Sequence, residues 1–516
     1  MKEKVLNIIM IKVLMKRYYF LIAAALLLLA SCVNHPEVPA SSKEAQCLPA
    51  IYPDYCDVTV PCNIAPLNFM LPADEYEECV ARLSDADGRQ QTYGKGVKVQ
   101  IPESEWHTML DASKGKSIKV EVWGKKGGEW MAFNPFEIRV AVEPIDEYVS
   151  YRLVDPTYVA WSYMSIAQRN ITSFEESEIF NNEVTSNNRA KGQCINCHSY
   201  QNYKTDNMLF HVRLSNARTV IVDEGKVTSV NLKRDYTISS GVYPSWHPTE
   251  KLIAFSTNLT RQAFFTQHPD KIEVFDLESD LIMYDVASDS VIVVCNDPEL
   301  LEVYPTWSPD GKYLYYCKSV PLPEELRDED IRATYPKVQY NLYRRPFEAA
   351  SLSFGDEELV YDAASKDRSA TLPRISPDGN YILFPEGQYG CFHTRHGDAD
   401  VVCLPLAGEL PLNNDLEGED SQAIDLTKFN SVGFADTYPS WSSNGHWIMC
   451  STRRGDGTYS RLYFSYFNNG KVEKAFLLPQ EDPEHNNFRL KCYNRPEFMI
   501  EPVEISFDEF SEVFDK

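Results

Sequence analysis

Gln193-Cys194-Ile195-Asn196-Cys197-His198 is the segment whose residue types and spacing point most directly to a covalent chemistry. Two thiols three positions apart can each form a thioether to one of the two vinyl groups of a porphyrin. The next residue then lies under the iron, with its imidazole as the ligand. Cys-x-x-Cys-His therefore predicts a covalent haem c, anchored by Cys194 and Cys197, with His198 on the iron. Composition alone would produce roughly 0.006 copies of this motif, so the match is specific. Met208 and His211 follow shortly and either could fold back as a distal ligand; Met499 is a remote third, and an open coordination face a fourth option. The same residues could instead form a zinc staple, given one more ligand. A thioredoxin-like pair would need a βαβ context that the surrounding sequence lacks.

Other chemistry is hard to find. There is no Gly-x-Ser-x-Gly, His-Glu-x-x-His, Walker A or Gly-x-Gly-x-x-Gly motif. His393-Thr394-Arg395-His396 brings two imidazoles close together, but in a turn-like stretch that predicts polar surface. The expectation is an electron carrier or a binding module rather than an enzyme. An enzymatic reading would need an open haem face, as in a peroxidase.

The elements that must position this motif are mostly strands. Four segments align: Tyr243-Pro-Ser-Trp-His-Pro-Thr-Glu250, Tyr304-Pro-Thr-Trp-Ser-Pro-Asp-Gly311, Leu372-Pro-Arg-Ile-Ser-Pro-Asp-Gly379 and Tyr438-Pro-Ser-Trp-Ser-Ser-Asn-Gly445. Each turn is followed by a strand of bulky alternating residues, and Gly supplies the positive φ of the turn. Tyr493-Asn-Arg-Pro-Glu-Phe498 looks like a truncated fifth copy. A repeat of roughly 60–70 residues has room for a four-stranded blade, so the C-terminal part predicts a β-propeller of five to six blades. Its first blade is expected at residues 208–242, completed by a strand from residues 488–500.

Upstream, Asp57–Val60, Val97–Ile101 and Ser117–Trp123 alternate apolar and polar residues, which predicts a small β-sandwich of immunoglobulin type. Thr157 to Asn181, with Thr172 or Ser173 as a cap before Glu175 and Glu176, predicts a helical connector. The whole chain is mainly β in this reading. It divides into an export signal (1–31), a tether (32–50), the sandwich (51–145), the helical connector with the Cys motif (146–207) and the propeller (208–516).

The Trp-Ser-Pro-Asp-Gly repeat resembles that of TolB-like propellers. The order of signal, sandwich, Cys-x-x-Cys-His and repeats is similar to bacterial exported TolB-like propeller lipoproteins with one haem motif, some labelled for cytochrome c biosynthesis. Lys16-Arg17 precede an apolar run from Tyr18 to Leu29, too short to cross a bilayer as a helix. Leu29-Ala30-Ser31-Cys32 resembles the bacterial lipobox, which implies cleavage before Cys32 and lipid on its thiol. The expected location is the cell envelope, on the outer membrane facing the periplasm.

Among 516 residues, 75 Asp and Glu against 50 Lys and Arg leave a net charge of −25, which argues against a nucleic-acid partner. The functional expectation is a membrane-anchored c-type haem protein, transferring electrons or sensing redox state, with the propeller as a platform for an envelope protein or redox partner. The alternative is a non-redox, TolB-like protein- or glycan-binding scaffold whose Cys/His motif is a zinc or structural site.

Overall fold

The computed structural model describes residues 35–156, 163–183, 194–213, 216–265, 272–327, 331–407, 410–412 and 422–514. The export signal and Cys32 lie outside the described residues, as do the segments immediately preceding Tyr163 and Cys194.

The N-terminal part is built on a seven-stranded sheet in which Ser117–Lys126 is central, pairing with Glu78–Ser84, Glu129–Ala132 and Phe136–Val140. A two-stranded ribbon, Phe69–Met70 with Lys98–Val99, lies beside it. Helix Glu103–Ser113 packs on this sheet, a feature absent from the expected sandwich. The sequence supports that helix. Pro102 precedes it, Glu103 and Glu105 favour its first turn, and the buried Trp106, Met109, Leu110 and Ser113 recur at helical spacing. The Trp106 indole donates to the Ile64 carbonyl at 2.9 Å, so the core aromatic loses no hydrogen bond on burial.

The expected helical connector is a correction. Tyr148–Val154, Ser165–Asn170 and Glu176–Asn181 form consecutive antiparallel strands. The polar residues read as a helix cap make a hairpin turn, in which Asn170 Oδ1 accepts from the Thr172 backbone at 2.9 Å. The closing strand also differs from the expectation. Cys492–Met499 pairs with Tyr148–Val154, so the propeller-like series begins near Tyr148 rather than at residue 208. That pairing joins the C-terminal strand to the first strand of the series and covers the edge of Tyr148–Val154.

The four repeats give four blades of a propeller-like arrangement, their first strands being Val242–Trp246, Leu301–Trp307, Arg374–Ile375 and Asp436–Trp441. Two further four-stranded sheets flank them: the one closed by Cys492–Met499, and Ile195–Gln201 with the three strands that follow it. The repeat turns are locked by side chains. In the second copy Ser308 Oγ donates to Asp310 at 2.6 Å and accepts from the Tyr313 backbone at 3.0 Å. The third and fourth copies repeat this with Ser376–Asp378 at 2.5 Å and Ser442–Asn444 at 2.8 Å. The first copy has no such Ser. There His247 Nδ1 accepts from the Glu250 backbone at 3.0 Å, and Nε2 donates to the Gly311 carbonyl of the next copy at 3.1 Å.

One apolar cluster unites Tyr55 and Trp106 of the N-terminal part with Trp447, Phe464 and Phe498 of the repeat region. Polar contacts seal the same junction: Trp447 Nε1 donates to the Pro144 carbonyl at 3.1 Å, and Asn68 Nδ2 to that of Glu481 at 2.9 Å. The two parts thus share a core.

Candidate functional site: an axial funnel and the Cys-x-x-Cys-His strand

Five inner strands carry one residue at positive φ, Cys197 (60°), Tyr243 (51°), Tyr304 (59°), Tyr438 (51°) and Arg495 (49°), and Leu372 (48°) stands at the equivalent place just before Arg374–Ile375. A non-glycine residue adopts this conformation only under local constraint, and the constraint here is a β-bulge. The pairing register breaks between Asn196 and Ser199, Val242 and Ser245, Val303 and Thr306, and Thr437 and Ser440. After the bulge residue comes Pro244, Pro305, Pro373, Pro439 or Pro496; in the Cys strand that place is held by His198. Next come Ser199, Ser245, Thr306, Arg374, Ser440 and Glu497, and then Tyr200, Trp246, Trp307, Ile375, Trp441 and Phe498.

These last two rings of residues meet in one cavity of about 350 Å³. Its mouth includes the exposed Asn202 and Pro309. Hydroxyls and indoles dominate the wall. Among the described residues the Trp246 and Trp307 indole nitrogens have no hydrogen-bond partner, whereas Trp441 Nε1 donates to the Arg374 carbonyl at 3.2 Å. Below lies a second cavity of about 30 Å³, lined by Tyr243, Tyr304, Tyr438, Arg374 and Arg495. Thr306 and Arg374 border both, so the funnel narrows to a neck along the axis.

The neck is cationic. Arg374 pairs with Glu497, and Arg495 Nε lies 3.7 Å from the same carboxylate. Arg152 Nη1 lies 3.9 Å from Cys194 Sγ. Arg213 pays for its burial through the fields of Cys194, Cys197, Tyr243 and Asp276, which together raise its pKa. On the far side of the neck, burial pushes Asp276 up to about 7, and Cys391 Sγ stands 3.8 Å from it.

The motif residues sit as follows. His198 is fully buried, and neither ring nitrogen has a partner of good geometry among the described residues. Burial, then Arg495, Arg152 and Arg374, hold its pKa well below the ordinary value, against an opposing backbone contact from Ser150. Cys194 packs in an apolar cluster with Val154, Met164, Met208 and Cys492. Cys197 is buried at the bulge of its strand. Both thiols are free and buried. Met208 is enclosed in the same apolar cluster as Cys194, in register with Tyr200 and Val222. His211 is in register with Asn196; its Nδ1 lies 3.2 Å from Thr219 Oγ1, and burial lowers its pKa to about 3. Met499 is buried in the closing strand.

A ring nitrogen without a partner suits an iron ligand, but the packing does not suit a porphyrin. The axial cavity is lined from Ser199 onward and includes neither thiol nor His198. Cys194 Sγ lies in an apolar wedge with Arg152 Nη1 3.9 Å away, and Cys197 is enclosed at the bulge of the inner strand. In this packing the residues do not fit a haem bonded to both thiols. Nor do three or more His, Cys, Asp or Glu side chains gather into a metal-holding group among the described residues. His393 and His396, expected at the surface, are buried with ring centroids 5.5 Å apart. His396 Nε2 pairs with Glu273 at 2.8 Å and His393 Nε2 donates to the Gly390 carbonyl at 3.0 Å.

No family model and no curated protein matches the chain. Solved structures with a similar arrangement include a tricorn protease, with 10% identity over 71% of this chain and 33% of that one, at a TM-score of 0.33. The chain thus spans about a third of that protein's length. An oligogalacturonate lyase from Vibrio parahaemolyticus shares 11% identity over 65% of this chain and 73% of its own, at a TM-score of 0.33. A puromycin-hydrolyzing peptidase from Mycobacterium tuberculosis shares 13% identity over 82% and 57%, at a TM-score of 0.35. Likenesses this distant assign no activity.

Proposed function

We propose that the protein is a non-redox binding scaffold of the cell envelope, a six-bladed propeller that receives a protein or glycan ligand in its axial funnel. The observation that carries this is the convergence of the post-bulge residues of all six inner strands on one cavity of hydroxyls and aromatic rings. Its volume lies within the range of about 300–1,000 Å³ common to small-ligand sites. In this reading Cys194, Cys197 and His198 are structural. They form the inner strand of a blade, and His198 fills the place that proline fills elsewhere. The leader and Cys32 supply the membrane anchor.

Calorimetric titration of a panel of mono- and oligosaccharides and peptides tests the funnel. Thr306→Trp fills the space where cavity and neck meet, so it should abolish any binding that the funnel supports while leaving the melting profile intact. Binding that survives Thr306→Trp would place the ligand elsewhere.

The Cys-x-x-Cys-His spacing favours one second reading, a covalent haem held in a packing other than this one. Such a group would supply one-electron chemistry to the scaffold. Haem staining of a denaturing gel, with Cys194→Ser/Cys197→Ser as the control, decides it.

A further inference from the structure

The funnel floor is positively charged in a protein whose net charge is −25. Arg374 and Arg495 share a single carboxylate, Glu497. Arg152 and Arg213 lie behind this lining, Arg152 beside Cys194 and Arg213 within the field of Asp276. Among the described residues Arg495 Nη1, in the neck, is buried without a hydrogen-bond partner. Buried donors are normally satisfied, so the unpartnered guanidinium N–H in the neck and the unpartnered indole N–H groups of Trp246 and Trp307 in the wall above call for an acceptor from a ligand. A low-dielectric neck also focuses the field of these cations into the opening. Above the floor the wall changes character: Ser199, Ser245 and Ser440 offer hydroxyls, and Trp246 and Trp307 offer unpartnered indole N–H groups beside aromatic faces.

A planar, bidentate acceptor matches a guanidinium, and a hydroxylated ring matches a wall of hydroxyls and indoles. We propose that the funnel recognises an acidic sugar, a hexuronate or an oligosaccharide that ends in one, with its carboxylate on Arg374 and its ring between the serines and the indoles. Glu497 then acts as the internal competitor that the ligand carboxylate displaces. This rests on the funnel being the ligand site, and the test separates the two claims.

Full-length protein is titrated calorimetrically with glucuronate, with glucose and with sodium chloride. Glucuronate is expected to bind at least about tenfold more tightly than glucose, and raised salt to weaken it. Arg374→Gln should cost glucuronate about tenfold or more and glucose several-fold less than that. Glu497→Gln, which removes the competitor and no donor, should tighten glucuronate. A tighter-binding variant cannot be explained by misfolding. Equal binding of the acid and the neutral sugar, or glucuronate binding indifferent to both substitutions, overturns the acidic-sugar assignment and leaves the funnel reading in place. Binding of acidic and neutral sugars that persists in Thr306→Trp overturns both; the absence of any saccharide binding overturns the acidic-sugar assignment alone.

Discussion

His198 shows how one residue can point to two chemistries. Its neighbours Cys194 and Cys197 make a specific covalent motif, while its backbone follows the bulge of the repeat. Cys197-His198-Ser199-Tyr200 takes the place of Tyr243-Pro-Ser-Trp246, yet only the Ser and the aromatic residue survive as a signal. The copy was therefore illegible beside a much sharper motif. The backbone comparison makes a direct prediction. His198→Pro should fold with its melting temperature within a few degrees of the parent, because five equivalent positions already carry proline after a positive-φ residue. A collapse of thermal unfolding in that variant would refute the equivalence. Gly311 gives the opposite case. Its φ is +72°, and an added Cβ would approach the His247 ring to 2.4 Å. Gly311→Ala should cost about 1–3 kcal/mol in denaturant unfolding, more than any exposed-turn substitution. Glu302 supplies a pH test. Burial, reinforced by Asp280 and opposed by Lys318, raises its pKa to about 8. The folded chain therefore holds a proton that the unfolded chain releases near pH 4, and stability falls as pH rises from about 4 to about 8. Glu302→Gln should lack this loss, so its melting temperature should gain on the parent as pH rises through that window. A constant difference between the two would exclude the buried acid.

At the scale of elements, the repeat turns were legible because Gly, Asp and Ser each have a fixed task there. The four predicted copies occupy equivalent strands. The stretch around Thr172 was not legible, since a polar cluster before two glutamates suits a helix cap and a hairpin turn alike; pairing with neighbouring strands decided it. Helix Glu103–Ser113 carried a readable stripe that lay hidden among short alternating runs. Its central indole is fully buried and hydrogen-bonded, so Trp106→Ala should cost about 3–5 kcal/mol. Unfolding curves that shift by less than about 1 kcal/mol would show that the helix is not part of the shared core. The partner of the closing strand lay far from the expected one. No local pattern distinguishes Tyr148–Val154 from residues 208–242 as the edge awaiting Cys492–Met499. Deleting residues 491–516 should unpair that edge, and aggregation with loss of cooperative melting is the expected result.

The whole molecule joins an N-terminal sheet and helix to a ring of blades through one apolar cluster. That union makes the part before residue 145 a fixed support rather than a loose spacer, and it holds the closing blade against the funnel. Cys32→Ser should move the protein from the membrane fraction to the soluble envelope fraction in a bacterial host, and unchanged fractionation would contradict a lipid tether. The central claim is that the Cys-x-x-Cys-His strand is architecture and the funnel is the site. Intact-peptide mass spectrometry of residues 190–204, from protein exported in a host with haem-attachment machinery, tests it most directly. The account predicts the mass of two free thiols; a mass increased by one porphyrin would contradict it.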